Sequence, residues 1–548
     1  MKTKKRLPIA IITATALTLS IFIVSRLLSA DAFRPPSAQA GSKAPSTLKI
    51  ALVHFEVKYK EPAKNLRYLI ELNRKAAQGG AKVILNTELA VTGYSFQSRR
   101  DVAPFTETEE GQTLLAMGRL AKEYGVYIGI TFPERDGATQ IFYNGAFVLD
   151  PQGQLICKYR KIAAEKRWAR PGSPLQKGVF DTPWGRMGVL ICSDSFYSLM
   201  PRAMALKGVD FLWVPANWPP KGGLDPKFIW RSRALENGFF LAACNRTGMD
   251  RILDCRQAAS YVFDPQGNQL FAASSPQTSQ VFFVEVPLNE HGRFTDTYRR
   301  RILATRKIEQ YRPIYLEPWV EDLTQFYKLP KTGALDIRCF VPASDRINIR
   351  ELEERIAVSP NETPALWILP ETAASDLKIK ELADLAKRRQ IAITLAVEKA
   401  SNKTDYVLVT PEGIQNFYDS SAAQENAFPF KILKFGSAAI ALVSYEDFRH
   451  PELSVVLSKL GSDLVVLSED RMSPEDMLLS RIKSLTGVAV AACADNGAEI
   501  TSVQNVHGNW DRQYLSEPGV CSYTLDTAKT RKKSFQSRID FDLLLSGK

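Results

Sequence analysis

Histidine is scarce in this 548-residue chain: there are four, far apart, and no two have the spacing of metal ligands. Metal chemistry and histidine-based acid–base chemistry are therefore set aside, and no metal or cofactor is expected. Seven scattered cysteines are too few for a disulfide scaffold. Glycine and proline number 31 each, which excludes collagen-like and low-complexity chains. Most of the length also lacks a surplus of one charge. The net charge is +12, but residues 1–47 carry seven basic groups against one acid, so half of the excess sits there. The remainder is too dilute to argue for nucleic acid. What is present is ordinary globular composition, 45% hydrophobic and 10% aromatic. It suffices for more than one core, and the length suggests two to four domains.

Lys2, Lys4, Lys5 and Arg6 precede an apolar run of 18 residues, Leu7–Val24. That length lies at the lower edge of what spans a bilayer, and the run is read as an uncleaved membrane anchor. A cleaved signal segment is the alternative, with Ala30-Asp31-Ala32 or Ala38-Gln39-Ala40 as its site. In either case the positive cluster keeps the N-terminus in the cytoplasm and the rest is exported. The expectation is a single-pass cell-membrane protein with its domains on the extracytoplasmic side, or a secreted or periplasmic one after cleavage. Phe33–Ser46, rich in Pro, Ser and Ala, reads as a flexible tether.

From Lys49 onward, short apolar runs alternate with helical stretches. Runs at Ile50–Phe55, Val83–Leu85, Val126–Phe132, Met187–Cys192 and Phe211–Pro215 predict buried strands. Helical periodicity falls between them at Pro62–Gln78, Gly111–Tyr124 and Pro201–Lys207. Asp150-Pro151-Gln152-Gly153 and Asp264-Pro265-Gln266-Gly267 read as hairpin turns. The fold class is therefore α/β with a mixed sheet.

The second half echoes the first. Leu366–Glu371 repeats Val83–Glu88, Gly461-Ser462-Asp463 repeats Gly208-Val209-Asp210, and Ala491-Ala492-Cys493 repeats Ala242-Ala243-Cys244, all in the same order. Two copies of one domain are expected, over 48–290 and 335–548, after an N-terminal segment 1–47. Residues 291–334 between them hold Arg299-Arg300-Arg301 and Arg306-Lys307. This basic linker is read as a solvated face, with contact to anionic lipid as the alternative.

Three runs in the first copy end in a reactive side chain: Val83–Thr87 at Glu88, Leu155–Arg160 at Lys161, and Met187–Ile191 at Cys192. Strand C-termini are where α/β sites collect. A cysteine serves as nucleophile when a base lies near and a cation holds the developing charge, and Glu and Lys supply both without histidine. On spacing alone the signal is weak: a strand-end cysteine is more often a small core thiol, a glutamate a cap and a lysine a solvated tip.

The local sequence decides between these. Asn86–Tyr94, Lys158–Ile162 and Leu190–Asp194 resemble the base, lysine and nucleophile segments of the nitrilase superfamily of carbon–nitrogen hydrolases. Pro215–Pro219, Arg233–Asn237 and Asn245–Gly248 resemble its later segments, so the likeness covers nearly all of 48–290. The resemblance implies a four-layer αββα sandwich. It makes Cys192 the nucleophile, Glu88 the general base, Lys161 the transition-state stabiliser and Glu165 a second catalytic glutamate. The substrate implied is a small amide or nitrile. One departure stands out: where the family carries an aromatic-Pro-Glu triplet, this chain has Tyr197-Ser198-Leu199.

The second copy keeps Glu371, but its elbow offers Ser444 or Tyr445 in place of the cysteine. Its lysine place, Tyr418–Ser421, holds no Lys. It is expected to be inert and to pair with the first copy, as members of the family pair through elbow-side surfaces; self-association of the chain is left open. The other cysteines read as core, with Cys244 and Cys255 the nearest candidates for a disulfide. Trp218 and Trp230 line a pocket or pack. Competing functions are a membrane-tethered or exported amide or nitrile hydrolase, an amine N-acyltransferase of the same superfamily, and a non-catalytic scaffold.

Overall fold

The computed structural model describes residues 45–220, 225–316, 323–344, 347, 349–359, 363–371, 378–398, 404–417, 431–503, 510–533 and 535–547. The apolar run Leu7–Val24 and the tether that follows it lie outside these residues, apart from Pro45 and Ser46. No helix among the described residues is long and apolar enough to cross a membrane.

The first copy begins with β1 (Thr47–His54), α1 (Pro62–Gln78), β2 (Val83–Asn86), α2 (Gln112–Tyr124), β3 (Tyr127–Arg135), β4 (Phe142–Leu149) and β5 (Leu155–Arg160). It continues with β6 (Val179–Thr182), β7 (Gly185–Val189), α3 (Leu199–Leu206), β8 (Phe211–Pro215), α4 (Pro226–Asn237) and β9 (Phe240–Cys244). The hairpin β10 (Ala259–Phe263) and β11 (Gln269–Ser274) and the closing β12 (Gln280–Pro287) complete it. The strands form two sheets, in the orders β12-β1-β2-β3-β4-β5 and β11-β10-β9-β8-β7-β6. Each has a parallel centre, β1-β2-β3 and β7-β8-β9, flanked by antiparallel strands. The mixed sheet expected from the sequence is present. Both Asp-Pro-Gln-Gly turns join antiparallel neighbours, β4 to β5 and β10 to β11.

The two sheets face each other across a dense aliphatic and aromatic layer, in which Ile50, Leu52 and Leu85 of one meet Val189, Trp213 and Ala242 of the other. Gly129 in β3 is required there, because a Cβ would come 2.6 Å from the Trp213 ring. Leu69, Ala76, Met117 and Leu120 press α1 and α2 onto the outer face of the first sheet. Met200, Met204, Trp230 and Ala234 bring α3 and α4 onto the outer face of the second. The result is the four-layer αββα arrangement.

The second copy repeats this. After a connecting helix α5 (Thr297–Ala304) come β13 (Ala334–Val341), α6 (Ile349–Ala357), β14 (Ala365–Ile368), α7 (Ile379–Arg389), β15 (Ala392–Glu398), β16 (Thr404–Thr410) and β17 (Gly413–Asn416). Then follow β18 (Leu433–Phe435), β19 (Ala438–Leu442), α8 (Pro451–Lys459), β20 (Leu464–Ser468), α9 (Pro474–Lys483), β21 (Ala489–Ala494), β22 (Gly497–Val503), β23 (Trp510–Leu515) and β24 (Gly519–Asp526). The sheet orders β17-β16-β15-β14-β13-β24 and β18-β19-β20-β21-β22-β23 are those of the first copy, twelve strands on. Details repeat too. The Cys244 thiol donates to the Val53 and Leu85 carbonyls, and Cys493 does the same to Phe340 and Ile368. All seven cysteines are free and buried, so Cys244 and Cys255 are not joined.

The two copies pack through equivalent helices. Contacts run between α3 and α8 and between α4 and α9, and Val455 and Val456 enter the core of the first copy. The basic connector departs from the expected solvated face. Arg300 is exposed, but Arg299 reaches Asp210 at 2.6 Å, Arg306 reaches Glu452 at 2.9 Å and Lys307 reaches Asp447 at 2.6 Å. Arg299, Arg306 and Lys307 thus pair with largely buried carboxylates that a charge run alone does not reveal.

Candidate active site

Glu88, Lys161 and Cys192 follow the C-terminal ends of β2, β5 and β7. The first two belong to one sheet and the third to the other, so the site forms where the facing sheets open at their carboxyl edges. Cys192 begins a short 3-10 turn, Cys192–Ser195, at φ +48°, and Leu89, next to Glu88, also has φ +48°. Left-handed backbone is sparsely populated by residues other than glycine, and such outliers gather at functional sites.

Lys161 Nζ lies 2.7 Å from Glu88 Oε1 and 2.5 Å from Glu165 Oε1. All three are buried. Asn144 Nδ2 donates to Glu88 Oε1 at 2.8 Å and to Glu165 Oε2 at 3.2 Å. The Asn217 N–H donates to Glu88 Oε2 at 3.1 Å, and its Nδ2 to the Glu88 carbonyl at 3.0 Å. The charges of Glu88 and Lys161 and the Asn217 N–H all act on the Cys192 thiol, which sets it beside the cluster. The structure therefore brings all four residues picked out in the sequence into one cluster.

Burial acts on each group, and the charges divide the outcome. Burial raises the Glu88 carboxyl above the usual carboxylate range, against the pull of Lys161 and with the push of Glu165. Burial also opposes charge on Glu165, but the adjoining Lys161 ammonium outweighs it and holds that carboxyl low. Lys161 is desolvated, yet the two carboxylates keep it well above its ordinary value and so charged. Burial and the Glu88 charge hold the Cys192 thiol well above the usual range, with Lys161 pulling the other way. The cluster is thus a fixed cation between two carboxyl groups, one of them raised, beside a protonated thiol.

Asp194 anchors the elbow. It accepts from Tyr159 Oη at 2.8 Å and from the N–H groups of Ala163 at 2.7 Å and Ile191 at 3.3 Å, tying the lysine segment to the nucleophile turn. Burial pushes its carboxyl up to about 6, with those donors opposing. Trp230 is buried and its Nε1 donates to Ser195 Oγ at 3.1 Å, so it supports the elbow; Trp218 packs edge-on against it. Asn144, Asn217 and Asp194 gained no role from the sequence. The signal for Asn144 was a lone amide inside an otherwise apolar strand, Phe142–Leu149. Asn217 and Asp194 lay within quoted segments, but only the fold reveals that they face the cluster.

Strand register fixes the equivalent place in the second copy. Val189 pairs with Trp213 three residues before Cys192, and Leu442 pairs with Val466 three residues before Tyr445. Tyr445, not Ser444, occupies the nucleophile position. Glu371 stands where Glu88 does, and the lysine place lies outside the described residues. Glu469, whose carboxyl burial pushes up to about 7, accepts the Tyr445 N–H at 2.5 Å.

Known proteins resemble the first copy. Residues 49–295 match the sequence model of the family described as carbon-nitrogen hydrolase. A nitrilase of Pyrococcus abyssi is 34% identical over 248 residues, which is 44% of this chain and 90% of that protein. An N-carbamoylputrescine amidase of Solanum lycopersicum is 31% identical over 244 residues, 40% of this chain and 79% of that one. A 2-oxoglutaramate amidase of Bacillus subtilis is 28% identical over 253 residues, 44% of this chain and 91% of its own length. With the tandem α/β architecture already described, these matches establish that the chain is an enzyme of the nitrilase superfamily, a carbon–nitrogen hydrolase.

Proposed function

We propose that the first copy cleaves an amide through a cysteine thioester. The observation that carries this reading is the buried cluster of Glu88, Lys161 and Glu165 beside the Cys192 thiol, with the Glu88 carboxylate tied to Lys161 at 2.7 Å. Because the thiol is held well above its usual range, it keeps its proton at neutral pH until substrate arrives. Glu88 then takes that proton as the sulfur bonds to the amide carbon, and the carbonyl electrons move onto oxygen. Lys161 and the backbone N–H following the elbow stabilise that oxyanion. As the tetrahedral species collapses, the Glu88 proton passes to nitrogen and the amine leaves. Water oriented by Glu88 or Glu165 then attacks the thioester and frees Cys192. Glu165 also holds Lys161 charged and in place.

An amide is preferred to a nitrile because two of the three relatives compared are named amidases. Transfer of the acyl group to an amine is the other fate of the same thioester. The test is an ammonia-release screen of the whole chain against primary amides, nitriles and carbamoyl compounds, with and without an added amine acceptor. Release from amides by the wild type, lost in Cys192→Ala, supports the reading. Release only from nitriles, or acylated amine in place of free acid, replaces it. The leader supports a location for this chemistry. The basic cluster Lys2–Arg6 before Leu7–Val24 favours a tethered or exported chain with both copies outside the cytoplasm. Protease added to cells with a permeabilised outer layer should digest residues 48–548, and full protection there would overturn that topology.

A further inference from the structure

A run of buried contacts leads from the second copy to the nucleophile elbow. Lys483 Nζ lies 2.6 Å from Glu236 Oε2, and Arg233 Nη1 lies 2.7 Å from Glu236 Oε1. Arg233 Nε donates to the Ser195 carbonyl at 2.8 Å and Nη2 to the Phe196 carbonyl at 2.5 Å. Ser195 Oγ donates to the Cys192 carbonyl at 2.6 Å. Lys483, Glu236 and Arg233 are all but fully buried, so removing Lys483 leaves Glu236 Oε2 without its donor in a dry interface while Arg233 still holds Oε1.

The partners occupy non-equivalent positions in the two copies. Trp213 pairs with Ala242, and its counterpart Val466 with Ala491. Counting back from these through Gly238 and Gly487, which both end a helical segment at positive φ, Lys483 stands where the first copy has Ala234. Leu485 stands where it has Glu236. A second fully buried ion pair across the interface, Arg202 with Glu452 at 3.6 Å, has the same character. Counted from Cys192 and Tyr445, Glu452 takes the place of Leu199, and Val455 that of Arg202. Equivalent helices pack on each other, as in an isologous pair. The same pairing between two first copies would set Ala234 opposite Glu236 and Leu199 opposite Arg202, so that Glu236 Oε2 loses its donor and Arg202 its carboxylate.

We infer that Lys483 is a positioning residue for Cys192, acting through Glu236 and Arg233, and that the second copy is thereby a dedicated partner that another first copy does not replace. The inference rests on the reading of Cys192 as nucleophile. Lys483 also borders a cavity of about 580 Å³ between the copies, lined by Phe196, Leu199, Val455 and Ile482 among others, which leaves room for a larger cationic head.

The test uses the full chain with Lys483→Met, Lys483→Arg, Glu236→Gln and the double variant Lys483→Met with Glu236→Gln. Thermal melting, kcat and KM for ammonia release, and the rate of Cys192 alkylation by iodoacetamide are measured for each. Displacement of the elbow predicts a drop of about tenfold in kcat and in alkylation for Lys483→Met, with KM within about twofold. Lys483→Arg should restore most of it, and the double variant should be no slower than Lys483→Met. A folded Lys483→Met with wild-type kcat and alkylation overturns the inference. If Lys483→Met does not fold, the near-isosteric Glu236→Gln decides by the same readings. A wild type unreactive at Cys192 would remove the nucleophile reading itself, and this inference with it, whereas a reactive wild type beside an equally reactive Lys483→Met removes the inference alone.

Discussion

Four residues read from the sequence, Glu88, Lys161, Glu165 and Cys192, meet in one buried cluster, and their environments set what each is expected to do. Cys192→Ala should keep its fold and lose turnover by about 10³-fold or more, read by ammonia release beside a melting curve. Cys192→Ser should be nearly as poor, because a hydroxyl is far less acidic than a thiol. Glu165→Gln should cost about 10²-fold in kcat, since Lys161 would lose one of the carboxylates that hold it. In the proposed mechanism the working base is ionised Glu88, whose carboxyl burial raises. Activity should therefore fall as pH drops through a value above the usual glutamate figure of about 4.3, a limb that a pH series of kcat/KM would locate. Asp194 gives a separate signature. Its carboxyl is raised from 3.8 to about 6, so the native chain holds a proton in that window which the unfolded chain has released. Stability from this group falls as pH rises between those values, and urea melts of Asp194→Asn against wild type should show that slope removed. Glu88, Lys161 and Cys192 were legible because each ends an apolar run inside a family-like segment, and Glu165 only through the resemblance. Asn144 and Asn217 were not, because their function comes from facing the cluster across a gap that only tertiary packing closes.

At the scale of elements, apolar runs and turn residues carried most of the architecture. The runs at Ile50–Phe55, Val83–Leu85 and Phe211–Pro215 correspond to β1, β2 and β8, and both Asp-Pro-Gln-Gly stretches close hairpins. Two strands escaped that reading. β6 is four residues long with Asp181 exposed, and β11 alternates at a half-solvated edge, so neither presents an apolar run. The charge run at Arg299–Lys307 misled for a related reason. Sequence shows the cations but not the buried Asp210 and Glu452 that fold onto them. The close approach of the sheets gives an element-scale prediction. Gly129→Val would drive a branched side chain into the Trp213 ring and should cost about 1–3 kcal/mol or more, measured by denaturant unfolding.

At the scale of the molecule, the chain repeats one architecture, and the proposed chemistry uses the cluster of the first copy. The repeat was legible from matched segments in order, while the choice of Tyr445 over Ser444 needed the strand register. The second copy should place no side chain of its own at the reacting atoms, so Glu371→Gln should leave kcat close to wild type. Deleting residues 335–548 should instead uncover the apolar faces of α3 and α4 and yield an insoluble or self-pairing protein, seen by size-exclusion chromatography. The most direct test of the whole account is intact-mass analysis of the full chain during turnover of an amide. One acyl group per chain, mapped to Cys192 and absent from Cys192→Ala, is the predicted result. Two acyl groups, an acyl group elsewhere, or turnover retained by Cys192→Ala would contradict it.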